Sequence, residues 1–322
     1  MRYVPGMSAG HYESFFHRAN HPSRPLALWI RYTVFSPAGD ADAAVGERWA
    51  VYFDGESDTI VAAKDVVPMA QCEFGALSTG VRIGDALLTD DALRGQADGP
   101  DGTVAWDLRV SGGGEPLWLL PRALYDGGFP KAKSLVPAPH MRHDGELRVA
   151  DRVVPIDGWM GSQNHNWGLR HTDHYAWGQV AGFDDREDAF LELLTARVRI
   201  GPFYTPFMTL AVLRVGDEQF DLNGLARALR AHGRFDYFSW EFSTRAGGTR
   251  LSGRMHAPRE AFVALRYDNP PGGHKTCLNS KLARCELTLE RRGQPALELS
   301  TSHRAAFEIL TDDDSHGLPQ RV

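Results

Sequence analysis

The chain has 322 residues, 43% of them hydrophobic and 24% charged, enough for two domains with real cores and too apolar for disorder. Its formal charge of −6 argues against the clustered basic surface that nucleic acid requires, so no nucleic-acid partner is expected. Three cysteines with no CxxC pair exclude a disulfide framework and favour a reducing compartment.

The N-terminus Met1-Arg2-Tyr3-Val4-Pro5-Gly6 lacks the apolar core of a signal peptide. No apolar run of about 18 residues follows. The expectation is a soluble, cytoplasmic protein with no integral membrane segment, leaving room for transient membrane contact. Thirty-three glycines and 19 prolines favour short strands joined by turns.

Leu28–Phe35 is aromatic and β-branched and stops at Ser36-Pro37-Ala38-Gly39. Trp49–Phe53 ends at Asp54-Gly55, a pair suited to a turn with positive φ. Val104, Trp106, Leu108 and Val110 alternate with Ala105, Asp107 and Arg109, so one face of that strand is dry. Gly112-Gly113-Gly114 reads as a hairpin turn, and Pro121–Pro139 as an irregular loop able to cover a cavity. Further strands are expected at 189–200, 208–215, 235–243, 250–256, 261–267, 283–290 and 304–310. One short helix is expected over 221–230, with Leu222, Leu225 and Leu229 on one face behind a capping Asp221. This pattern predicts an all-β protein of two antiparallel barrels with one short helix. The predicted division is 1–160 and 161–311, followed by a disordered tail at 312–322.

Gly158–Phe183 is unusual. It holds Trp159, Trp167 and Trp177 of the eight tryptophans, and His165, His171 and His174 of the thirteen histidines. In extended backbone His165 and Trp167 share a face, as do Tyr175 and Trp177. A neutral imidazole beside an indole in an apolar container could pass a proton and stabilise a nearby cation. A purely structural role, with the polar edges bonded to loop backbone, explains the same residues. The spacing of His165, His171 and His174 matches no metal signature, so no metal is expected.

Asn164-His165-Asn166-Trp167-Gly168, followed by Trp177-Gly178, resembles the central motif of the hydroxyneurosporene synthase/AttH-like superfamily. That group includes carotenoid 1,2-hydratases, tocopherol cyclases and lipocalin-like Diels–Alderases. Tyr12–Asn20 followed by Ala27–Thr33 is similar to its first hairpin. The resemblance implies two lipocalin-like barrels with the central motif entering the second, and a ligand cavity in or between them. It also implies a hydrophobic isoprenoid or polyketide-like substrate and no redox cofactor. His165 and Trp167 correspond to the acid site of the hydratases. Their Tyr-x-Asp partner has no counterpart; the strand there reads Phe190-Leu191-Glu192-Leu193-Leu194.

Glu192 shares a strand face with Phe190 and Leu194. Burial there would raise its carboxyl pKa as a general acid requires, whereas a flipped strand would put it in water. Glu13, between His11 and Phe15, suits either substrate binding or a link between domains through an arginine. Asp173 could pair with His174 at a cavity mouth or belong to a solvated turn. Trp240, between Phe238 and Phe242, faces either a filled core or a hollow barrel. His274 and Cys277 are three residues apart, a spacing that by itself does not make a thiolate–imidazole pair.

The expected function is cofactor-independent acid catalysis on a lipophilic small molecule by cyclisation, hydration or isomerisation. His165, Trp167, Asp173 and Glu192 are the catalytic candidates. Glu13, Asn166, Tyr175, Trp177 and Trp240 are the substrate-binding candidates. A non-catalytic carrier of a lipid, terpenoid or pigment is the alternative.

Overall fold

A computed structural model describes residues 1–75 and 80–322. The first antiparallel sheet takes β1 His11–Asn20, β2 Leu26–Ser36, β3 Val45–Asp54, β4 Thr59–Pro68, β5 Cys72–Phe74, β6 Val81–Ile83, β7 Ala86–Leu88, β8 Ala92–Gly99, β9 Gly102–Gly112, β10 Ala132–Val149 and β11 Arg152–Gly168. Its order is β4-β3-β2-β1-β11-β10-β9-β8-β7-β6-β5. The sheet curls until β4 meets β8, where a Cβ on Gly99 would stand 2.3 Å from the Ala62 carbonyl oxygen. Asp101 Oδ2 accepts from the Ala62 amide at that seam.

The second half contributes β12 His174–Ala181, β13 Ala189–Arg197, a small hairpin of β14 Arg199–Ile200 and β15 Phe203–Tyr204, β16 Met208–Val215 and β17 Glu218–Leu222. After helix α1 Leu225–Ala228 come β18 His232–Asp236, β19 Ser239–Ala246, β20 Thr249–His256, β21 Val263–Asp268, β22 His274–Arg291 and β23 Leu297–Thr311. The order is β17-β16-β13-β12-β23-β22-β20-β19-β18, with β21 on β22. The molecule is therefore all-β, as its turn-rich composition predicts.

Period-two burial explains the placement of the cores. Val104, Trp106, Leu108 and Val110 are buried inside the first barrel, while Asp107 and Arg109 are exposed. Trp240, Phe242, Met255 and Phe307 fill the second barrel. A third apolar layer, with Phe16, Trp29, Trp49, Trp177 and Leu310, joins the outer faces of the two sheets.

Several local expectations need correcting. The first sheet runs through β11 to Gly168, so a boundary at 160/161 cuts a strand and the central motif closes the first barrel instead of entering the second. Residues 132–139 of the expected loop belong to β10, because β11 offers them a ladder. Helix α1 covers only four residues and is preceded by Gly224 without a side-chain cap; Leu222 ends β17. At the β3–β4 turn the positive φ falls on Asp58, not Gly55. Gly113 and Gly114 donate to the carbonyls of His140 and Pro139, extending the chain along β10 and making no hairpin turn.

The tail is tied down. Gln320 bridges Ala264, and the Val322 carbonyl oxygen accepts from the Arg266 amide at 2.8 Å. Arg321 pairs with Asp101 of the first half at 2.6 Å. Among the described residues, no helix is long and apolar enough to cross a membrane.

Candidate functional site

A cleft opens between the outer faces of the two sheets. The first contributes Tyr12, Phe16, Trp29, Arg31 and Asn166; the second contributes Tyr175, Trp177, Leu194, Tyr267 and Glu308. Leu119, Leu124, Phe129 and Leu225 cover it, and His171 stands where the chain crosses between sheets. Its cavity volume is about 140 Å³, inside a wider cleft of about 1210 Å³ that includes the open mouth. The smaller figure matches the roughly 150 Å³ dry cavity that admits benzene. One ring or a short branched chain fits inside, and a longer molecule would extend through the mouth.

Strand alternation decides which side chains reach this space. On β11, Asn166 faces the cleft while His165 and Trp167 point the other way. The His165 ring is stacked between Phe15 and Trp167, each centroid 4.5 Å away, and its Nε2 lies 2.7 Å from Glu13 Oε1. The imidazole–indole couple is therefore wedged among side chains, and neither ring itself lines the cleft. Burial, only partly offset by Glu13, lowers the His165 pKa, so the ring is neutral at neutral pH. Trp167 packs with Leu119, Tyr125 and Leu210 under the covering loop.

Glu13 is not among the residues lining the cleft, and no arginine side chain pairs with it among the described residues. It accepts from the amides of Arg2 and Tyr3 and contacts the His11 and His165 rings. Burial opposes its ionisation, but these hydrogen bonds prevail and hold the carboxyl well below its usual range. Asp173 accepts from Arg170 at 2.5 Å and from the Arg199 amide at 2.7 Å, so it clamps the crossover to the small hairpin. Trp240 lies in the filled second barrel, with Nε1 donating to Thr195; it does not reach the cleft.

Trp177 and Tyr175 do line the cleft. Trp177 Nε1 donates to Glu192 at 2.7 Å, and Gln179 Nε2 donates to the other oxygen at 2.8 Å. Glu192 is fully buried behind Trp177. Burial pushes its carboxyl up to about 7 despite these two bonds. Gln179 accepts in turn from Arg18 and Ser162 of the first sheet, so the network fixes Trp177 relative to both barrels.

Sequence reasoning missed the groups with the clearest access. Glu308 lies on the cleft wall; its Oε1 accepts from Asn279 at 2.9 Å and Lys281 at 2.8 Å. Its Oε2 meets only the Cys277 thiol, at 3.6 Å. Burial lowers the Lys281 pKa while Glu308 opposes that shift. Tyr12 stacks on His171 at 4.1 Å, and burial brings His171 down to about 3. The signal was available: Arg31 and Glu308 are single charges in otherwise apolar runs, the same cue that singled out Glu192.

Cys277 is fully buried and His274 exposed, and burial raises the thiol pKa well above its ordinary value, so the two form no nucleophilic pair. His165, His171 and His174 sit in three separate packings; among the described residues no cluster of metal-ligating side chains occurs.

No family model matches the chain. The uncharacterized protein Rv0493c of Mycobacterium tuberculosis H37Rv is 26% identical over 301 residues, covering 92% of this chain and 86% of its own length. The uncharacterized protein MT0513 of strain CDC 1551 matches to the same extent. An AttH-type protein of Nitrosomonas europaea superposes with a TM-score of 0.57 at 14% identity, covering 96% of this chain and 98% of the other. The chain has the AttH-type fold. Kievitone hydratase of Nectria haematococca (TM-score 0.56, 11% identity, 97% and 94% covered) and CghA in complex with Sch210972 (0.55, 11%, 94% and 88%) share it.

Proposed function

We propose that the chain is an enzyme of the hydratase or cyclase type acting on a hydrophobic isoprenoid or polyketide-like molecule held in the cleft between the barrels. The observation that carries this reading is an apolar cleft into which a few polar groups converge, Glu308 and Asn166 foremost. Such a setting removes water from the substrate and limits its motion. The similarity of fold to kievitone hydratase, an enzyme named for hydration, supports the reaction class.

The Asn166 side chain makes no hydrogen bond to the described residues and lines the cleft; it is placed to hold a substrate oxygen. Glu308 Oε2 faces the same space and acts as the proton carrier. In a hydration it takes a proton from the attacking water and returns it to the neighbouring carbon, so water adds across the double bond with no net proton change. Trp177 and Tyr175 pack on the substrate, and Glu192 keeps the Trp177 indole in place. His165, Trp167 and Asp173 do not line the cleft, so the catalytic roles fall to these cleft-facing groups.

The test is incubation with a panel of polyenes and conjugated enones, read by mass spectrometry for gain of one water or for an isomer of changed retention. Glu308→Gln should slow the conversion by about a hundredfold or more while leaving ligand binding intact. Ligands recovered unchanged across the panel, or full activity in Glu308→Gln, overturn the reading; unchanged but tightly held ligands would make the protein a carrier.

A further inference from the structure

Arg31 is 3% exposed, yet its guanidinium reaches the cleft wall. Nε donates to Thr33 Oγ1 at 3.0 Å and Nη2 to Ser14 Oγ at 2.7 Å. These hydroxyls are hydrogen-bonded to each other at 2.9 Å, so the fork is held rigidly by neutral groups. Its plane is boxed by Tyr267 at 4.6 Å, Trp49 at 5.7 Å and Trp29 at 5.8 Å. Nη1 makes no hydrogen bond among the described residues.

Three of the other four buried cations have a carboxylate partner. Lys281 pairs with Glu308, Lys275 with Asp312, and Arg304 with Asp184. Arg18 has no carboxylate partner and its Nη2 is unpaired among the described residues, but its Nε and Nη1 donate to Gln179, Asn20 and the Arg304 carbonyl oxygen, and it does not line the cleft. No carboxylate comes within ion-pair range of Arg31 among the described residues. Glu308 is committed to Lys281, and Glu47 to Lys64 at 2.9 Å and the Trp49 indole. A desolvated, permanently charged guanidinium without a counter-ion is costly, and here its free edge points into a ligand-sized space.

We infer that Arg31 is the recognition group for an oxyanion, so that the ligand of the cleft is a hydrophobic molecule bearing a carboxylate, enolate or phosphate head. This rests on the cleft being the ligand site, as proposed above. The anion completes the fork that Ser14 and Thr33 leave open, and the hydrocarbon part lies against Phe16, Trp177 and Leu194. Glu308 remains on the same wall, neutralised by Lys281.

Calorimetric titration of the full chain with decanoate, decyl phosphate and decanol tests this directly. The wild type should bind at least one anion about tenfold to a hundredfold more tightly than decanol, and the tighter of the two anions names the head group. Arg31→Gln should erase that preference while decanol affinity stays within about twofold, which also shows that the variant is folded. Arg31→Lys should retain part of the preference. Equal affinity of the wild type for all three compounds overturns the inference and leaves the cleft intact as a binding site. Binding of none of them overturns both. The wild-type comparison decides the matter even if Arg31→Gln does not fold.

Discussion

Glu192 shows how one side chain links the interface to pH. Its carboxyl, about 7 in the folded protein, titrates near 4.3 in an unfolded chain. The folded state therefore binds the proton more tightly. Its contribution to stability is intact below the unfolded value, falls as pH rises from there towards 7, and is constant above. The total amounts to about 4 kcal/mol. Denaturant midpoints of the wild type should decline across this window, and Glu192→Gln should flatten the decline. Because Trp177 Nε1 bonds to this carboxylate, tryptophan emission should show a transition near pH 7 that the variant lacks. A wild-type emission profile that stays flat between pH 5 and 8 would remove the buried-acid account.

Among the strands, β1 and β11 of the first sheet pair at Gly161 with no room for a side chain. A Cβ on Gly161 would stand 1.8 Å from the Arg18 carbonyl oxygen, backbone that cannot yield without breaking the ladder Arg18↔Ser162 and Ala19↔Gly161. Gly161→Ala should cost several kcal/mol, about 3 or more, and leave little soluble protein. Gly128→Ala, where a Cβ meets nothing within 4 Å, should change stability by less than about 0.5 kcal/mol. Thermal melts of the two variants side by side check the contrast. Alternation along β9 was readable because one of its faces meets water. β1, β2 and residues 161–165 of β11, buried on both faces, offered no such pattern, so neither the orientation of His165 nor that of Arg31 could be read from spacing.

The two barrels are held together by chain as well as by packing. The segment from Asp312 to Val322 lies on β21 and reaches Asp101 in the first half. Deleting residues 313–322 should cost about 2 kcal/mol, two backbone bonds and one half-exposed ion pair. That corresponds to a Tm lower by about 3–6 °C in a calorimetric scan, and an unchanged Tm would mean that the tail adds nothing. Composition and turn spacing sufficed for the all-β class, and the motif at 164–168 for the two-barrel architecture. The cleft was not legible, because it is formed by outer faces that a single sequence does not bring together. The side chains facing it, Tyr12, Arg31, Tyr267 and Glu308, come from four separate strands.

The first strand of the first barrel finds its second neighbour only in the eleventh, so Tyr12 pairs with Gly168 and Phe15 with His165. During synthesis β1 must wait, with one edge bare, until more than half of the polypeptide has left the ribosome. Until then the nascent N-terminal portion presents an open, aromatic-rich ribbon, the kind of surface to which holding chaperones attach and along which neighbouring copies stick. The motif at 164–168, whatever its chemistry, is thus also the latch whose emergence ends that vulnerable interval.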